Sequence, residues 1–490
     1  MPITAPLVSS TPPTEIVGLD AVALSRAIRQ RELRCTEVLE AYLSQIDRLN
    51  PQVNAIVAQQ PRDALWALAA ERDAQLDAGR WLGPLHGFPQ APKDIMPAAG
   101  MVTTKGSPLF AGQISTADAV VFERMRAGGA VFVGRTNTPE FGLGGHTYNT
   151  VYGTTRNAFD PSLTAGGSSG GAGCAVALHM LPVADGSDMM GSLRTPAAFN
   201  NVYGLRTSFG CVPHGPTEEV FFQQFSVAGP MARNIPDLAL LLSVQAGFDP
   251  RLPLTRRLDD PAHVSPPLER DFRGTRVGWL GDLGGHLAME PGLLDVCTRA
   301  LAHFETIGCR VEAVTPAFDF ERMWRAWIDL RSFTVAGNNA TLYRDLTQRA
   351  LLKAEAVWEI ERGLALSGPD VFRAAVDRSA WYQVLRQLFE TYDYLVLPGA
   401  QVFPFDAALD WPHSVDGRSM DTYHRWMEVV VPATLAGLPA LSAPAGFGPA
   451  GQPMGIQIMG PTQSDWSVLQ LGHAYDQAGG MARVSSPLLG

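Results

Sequence analysis

Residues 164–196 read TAGGSSGGAGCAVALHMLPVADGSDMMGSLRTP. Two serines, Ser168 and Ser169, lie between two Gly-Gly pairs, and Ser192 follows Ser168 by 24 residues. GAGCAVALHML reads as a buried helix rising out of the Gly/Ser loop. A glycine-rich loop before a helix can cradle phosphate on free N–H groups. A Walker loop, however, needs a lysine at its end, and none is near; no G-x-G-x-x-G follows a strand either. The string GSSGG (167–171) also matches the G-x-S-x-G elbow of α/β-hydrolases, with Ser169 as nucleophile. An elbow needs a later acid and a histidine, for which His413, His424 and His473 are available, but the HGGG-type oxyanion motif is missing.

The rest of the chain narrows the choice. It has 490 residues, 46% hydrophobic and 18% charged, a globular composition. A net charge of -10 argues against a nucleic-acid surface or an anionic-membrane surface. No apolar run reaches the roughly 18 residues of a membrane span. The opening MPITAPLVSSTPPTE has neither the basic nor the apolar region of a secretory signal, so a cytoplasmic location is expected. Five scattered cysteines without C-x-x-C spacing point to reduced thiols rather than disulfides or a zinc knuckle. The ten histidines show no HExxH or other metal-ligand cluster.

Helix and strand signals alternate. Residues 1–14 look like a loose Pro/Thr arm, and apolar spacing is helical from Asp20 to Ile56. DAVVFERMRAGG (118–129) is an amphipathic helix stopped by glycine, and AVFVGR follows as a buried strand. RVGWLGD (276–282) and CRVEAV (309–314) read as strands around a helical 291–307. Residues 318–391 look mostly helical, and YDYLVLPGA, GLPALSAPAGF and PMGIQIMG return to strand. This rhythm predicts α/β layering. A single domain over 1–490 is expected: a core at about 75–245, a variable helical insertion at about 250–390, and strands of 392–490 returning to the core.

Two further stretches bear on chemistry. PQAPKDIM puts Lys93, one of only three lysines, in apolar company. An amine taken out of water loses its charge preference and can act as a base near neutral pH. GSDMMGSLRTP puts Ser192 on a tight turn where successive N–H groups can converge on an oxyanion. A serine between lysine and nucleophile can relay a proton.

LHGFPQAPKDI…AGMVTTKGS, VFVGRTNTPEFG, GGSSGGAGCAVALHMLPVADGSDMMGSLRTPAAFNNVYGLRTS, FSVAGPMARNIPDLALLL and GLPALSAPAGFGPAGQPMGIQIMGP occur in this order. Together they resemble the amidase signature family over about residues 20–245 and 392–475. The resemblance implies an α/β/α sandwich around a large mixed β-sheet and a Ser–cis-Ser–Lys triad. The nucleophile falls on Ser192, the bridging serine on Ser168 after a cis Gly167–Ser168 bond, and the base on Lys93. It also implies an oxyanion hole from the backbone N–H groups of Met189, Met190, Gly191 and Ser192. Ser169, Asp188 and Arg194 take supporting positions. Met190 departs from the commonest D-x-G-G-S pattern, which puts the pocket shape in question.

The activity implied is amide hydrolysis through an acyl-enzyme, without metal or organic cofactor, by a monomer or homodimer. For the substrate, Met189, Met190, Phe221, Phe222, Trp324 and Trp327 are the pocket candidates. They lean towards aryl amides or anilides, with carbamates (a urethanase activity) and esters as extensions. Two other enzyme readings stay open at this point: the amidase subunit of a tRNA-dependent amidotransferase, and an esterase using Ser169. A non-catalytic binding module on the same fold is disfavoured by intact Lys93, Ser168 and Ser192.

Overall fold

The computed structural model describes residues 12–215, 217–222, 224–257 and 267–490. Most of the expected N-terminal arm, and residues 258–266 of the expected insertion, therefore lie outside the described residues. Eight strands form the central sheet: β1 Ala184–Asp188, β2 Tyr203–Arg206, β3 Val227–Ala232, β4 Arg276–Trp279, β5 Arg310–Ala313, β6 Tyr394–Pro398, β7 Ala440–Phe447 and β8 Pro453–Met459. Their spatial order is β5-β4-β6-β8-β7-β2-β3-β1. β4 pairs in parallel with β5 and β6; the other neighbours are antiparallel, so the sheet is mixed.

Helices cover both faces. On β8, Gly455 and Ile458 are three residues apart and so face opposite sides. A Cβ on Gly455 would meet Ala198 of helix Arg194–Phe199, 3.1 Å away. Leu441, paired with Ile458, instead packs on Gly472 of helix Asp465–Gly479. The result is the expected α/β/α sandwich. Its apolar core is contiguous, running from Leu24 through Val176, Leu205 and Val277 to Ile458.

The sequence-derived elements hold with shifted bounds. Helix 118–129 is Val120–Ala127, and 291–307 splits into Leu293–Ala300 and Ala302–Thr306. The region 318–391 contains helices Phe320–Arg344, Ala354–Ala365 and Gly368–Leu388. Strands β1, β2 and β3 were not foreseen. ADGSD, YGLR and VAGPMA are short, glycine-bearing and buried along their whole length, so they show no alternation. Their glycines have a packing reason. Gly186 of β1 pairs with Gly229 of β3. Side chains there would meet Leu193 at 2.5 and 2.9 Å, so the turn carrying Ser192 lies flat on the sheet.

Candidate active site

Lys93 is held by its backbone before its side chain does anything. It bridges Thr136, its N–H donates to Asp185 Oδ2 at 3.2 Å, and its carbonyl accepts from Arg135 Nη2 at 2.8 Å. The side chain is fully buried. Nζ donates to Ser168 Oγ at 2.7 Å, Ser169 Oγ at 2.9 Å and Ser187 Oγ at 3.1 Å. Burial pushes the amine down to about 7, against the pull of the Asp185 and Asp188 carboxylates. A neutral amine has only two N–H donors and one lone pair. One of the three hydroxyls must then donate to it.

The hydroxyls differ in their other bonds. Ser169 Oγ donates to Ser187 O at 3.3 Å and accepts the Ser187 N–H at 3.4 Å. Its proton is committed, it is fully buried, and its N–H donates to Ser192 O at 3.0 Å. An elbow nucleophile must face the cleft, and Ser169 does not. Ser168, after a cis Gly167–Ser168 bond, has no described partner besides Lys93 and opens onto the cleft with Ser187 and Ser192. Ser187 escaped the sequence reading. In β1, Asp185 and Ser187 share one face, and both meet Lys93. That signal was available only once the strand was recognised.

The turn after β1 is fixed by buried charge. The Asp188 carboxylate accepts from the Gly191 N–H at 3.0 Å, the Leu193 N–H at 3.2 Å, Arg194 Nε at 3.0 Å and Arg206 Nη1 at 3.2 Å. Burial pushes this carboxylate up, but the Arg194 and Arg206 guanidiniums outweigh it and hold it well below the usual range. One expectation is corrected here. The Gly191 N–H is taken by Asp188, so it does not face an oxyanion. Gly191 instead supplies the left-handed residue of the turn, φ +77°, where a Cβ would meet Val430 at 2.9 Å. Met190 is not among the positive-φ residues, so it fits without backbone strain. Among the described residues nothing accepts from the N–H groups of Met189, Met190 or Ser192.

The cleft holds about 540 Å³, its open mouth included. Its apolar side chains are Ile95, Phe141, Leu143, Met189, Met190 and Met427; its polar ones are Ser168, Ser187, Ser192, His214, Ser226 and Arg331. Burial, then the charge of Lys93, pushes the His214 imidazole down to about 4, so it is neutral near pH 7. Arg331 is compensated by Glu359 at 2.5 Å and Tyr423 at 2.8 Å.

A family model described as Amidase matches residues 37–469. The chain belongs to the amidase signature family. It is 35% identical to an acylamidase of Rhodococcus erythropolis, over 92% of this chain and 94% of that protein. It is 32% identical to a glutamyl-tRNA(Gln) amidotransferase subunit of Acidothermus cellulolyticus, over 95% of each. The solved structure of a bacterial aryl acylamidase of the amidase signature enzymes superposes with a TM-score of 0.88 at 26% identity, covering 95% of this chain and 97% of that one. The protein is thus a hydrolase of amide C–N bonds.

Four expected pocket residues of this amidase lie elsewhere. Phe221 and Phe222 are 62% and 76% exposed and do not line the cleft. Trp324 and Trp327 belong to the core: Trp327 packs edge-on against Phe225 at 5.4 Å, and Trp324 against His424 at 5.3 Å. His413 pairs with Asp410 on the surface, His424 stacks on Tyr423, and His473 bonds Gln477; none lines the cleft. Among the described residues, no helix is long and apolar enough to cross a membrane, and no cluster of three His, Cys, Asp or Glu side chains could hold a metal ion.

Proposed function

We propose that this amidase cleaves small aryl amides and anilides through an acyl-enzyme on Ser192, with aryl carbamates as further substrates. The observation that carries this reading is the 2.7 Å contact between a buried, readily neutralised Lys93 and Ser168, at the end of a cleft that Ile95, Phe141, Leu143 and three methionines help to line. Lys93 Nζ accepts the Ser168 proton as Ser168 takes the Ser192 proton, and Ser192 Oγ attacks the carbonyl carbon. The N–H groups of Met189, Met190 and Ser192 are the unclaimed donors for the oxyanion. The proton returns through Ser168 to the leaving nitrogen. Water then attacks the ester under the same relay, releasing the acid and restoring Ser192.

Burying a ring against Ile95, Phe141 and the methionines favours aryl substrates by roughly 25 cal/mol per Å², and Met suits such irregular contacts. The acylamidase and aryl acylamidase likenesses support the same class. A second reading, glutamine hydrolysis within an amidotransferase, is favoured by the 32% identity to a component of such an enzyme. Measuring kcat/KM for acetanilide, an aryl carbamate and glutamine on one preparation separates them. Acetanilide is expected to exceed glutamine by about tenfold or more, in line with apolar burial of one ring. Glutamine exceeding acetanilide would replace the aryl reading with the amidotransferase one.

A further inference from the structure

One wall of the cleft is not made by the signature segment alone. Residues 141–144 run across it, and the 3₁₀ turn Glu140–Gly142 presses close to the relay, since a Cβ on Gly142 would lie 3.4 Å from Ser168 Oγ. This strip's own bonds are those of the turn: the Gly142 N–H donates to Pro139 O at 2.8 Å and the Leu143 N–H to Glu140 O at 3.0 Å. Phe141, Gly142 and Gly144 all take positive φ, at +52°, +71° and +108°. The strip is held from two sides: the Phe141 N–H donates to Lys105 O at 2.8 Å and the Phe141 ring meets Phe110 edge-on, while Lys353, 210 residues beyond Leu143, grips it from the other side.

Lys353 makes three separate attachments. Its N–H donates to Glu140 Oε2 at 3.0 Å, and Glu140 is itself held by Ser107 Oγ at 2.7 Å. Its ammonium donates to the Leu143 carbonyl at 2.9 Å. The same Nζ lies 3.5 Å from Glu355 Oε1 and 5.1 Å from the Tyr148 ring centre, while Tyr148 Oη donates to Glu355 at 3.1 Å. Leu143 also closes a small apolar cluster of its own with Val335, Ala336, Leu352, Ala356 and Ile360, apart from the main core. Lys353 thus stands where helix Ala354–Ala365 begins and grips both ends of the cleft strip.

We infer that Lys353 is a positioning residue: it clamps the strip 140–144 against Ser168 and so sets which acyl and aryl groups the cleft accepts. The substrate half rests on the function proposed above; the clamp half rests on the contacts alone. A side-chain clamp on a strip with three positive-φ residues adds to the bonds from Lys105 and from the turn itself, and small misplacement of a wall costs productive binding.

The test pairs kinetics with hydrogen–deuterium exchange on wild type, Lys353→Met, Lys353→Arg and Glu355→Gln. In Lys353→Met, amides of 140–144 should exchange about tenfold faster while those of β8 stay at the wild-type rate. KM for acetanilide should rise about tenfold with kcat changed less than about threefold, and the preference between acetanilide and a bulkier anilide should shrink; Lys353→Arg should recover most of both. Wild-type exchange at 140–144 in Lys353→Met overturns the clamp. Loss of protection throughout the chain with kcat falling alongside assigns Lys353 a general structural role and also overturns it. If Lys353→Met does not fold, Glu355→Gln decides: two- to threefold faster exchange, roughly, supports the clamp, and wild-type exchange overturns it. If wild type cleaves no anilide, the proposed substrate class fails while the exchange arm still decides the clamp.

Discussion

In the proposed mechanism Lys93 is the residue on which the chemistry turns. Its amine sits at about 7 because burial outweighs two nearby carboxylates. The free base forms as pH rises through that value, so kcat/KM should climb from acid to neutral pH and level off above about 7. Lys93→Ala should lose roughly 10²–10⁴ in rate, the usual contribution of a positioned base, while replacing His413 or His473 changes nothing. Most of the activity surviving in Lys93→Ala would remove the lysine from the mechanism. The same shift has a stability sign. The unfolded chain binds this proton more tightly, so the fold gains stability as pH rises from about 7 towards 10.5. Lys93, Ser168 and Ser192 were singled out in the sequence by the order of motifs that resembles the family, since a lysine in apolar company or a serine among glycines is a weak signal alone. The exposure of Phe221 and Phe222 was not legible, since an aromatic run does not reveal which way it faces.

At the level of elements, GGSSGG answers to space as much as to chemistry. A Cβ on Gly171 would sit on the Asn137 backbone nitrogen and 2.6 Å from Ala55 O. Helix Gly170–Ala177 therefore touches the chain immediately after Thr136, the bridge partner of Lys93. Gly171→Ala should destabilise by about 1–3 kcal/mol or more, the cost of overpacking against backbone that cannot yield. A denaturant melt measures it, and activity should fall with stability because the push reaches Lys93. A wild-type melt would show that the helix has slack there. The long helices were readable from their period; β1, β2 and β3 were not, being short, glycine-bearing and buried on both faces. Ser187 was lost with β1, since only strand alternation places it beside Asp185.

Across the whole molecule, distant segments converge on the Ser192 turn. Arg194 donates not only to Asp188 but also to Val430 O at 2.9 Å, Gln457 Oε1 at 2.7 Å and Thr434 Oγ1 at 2.8 Å. Strand β8 and the segment 430–434 thus close over the Ser192 turn, and Lys353 adds to the strip's fastening. Sequence order showed that these segments belong together, but not that Lys353 reaches Leu143, because contacts of such separation leave no local pattern. In the proposed mechanism Ser192, served by Ser168 and Lys93, is the nucleophile. Reaction with a fluorophosphonate, followed by peptide mass spectrometry, tests it most directly. One adduct is expected, on Ser192, absent from a folded Ser192→Ala variant that no longer hydrolyses acetanilide. An adduct on Ser169, with Ser192→Ala still turning over at the wild-type rate, would contradict this mechanism.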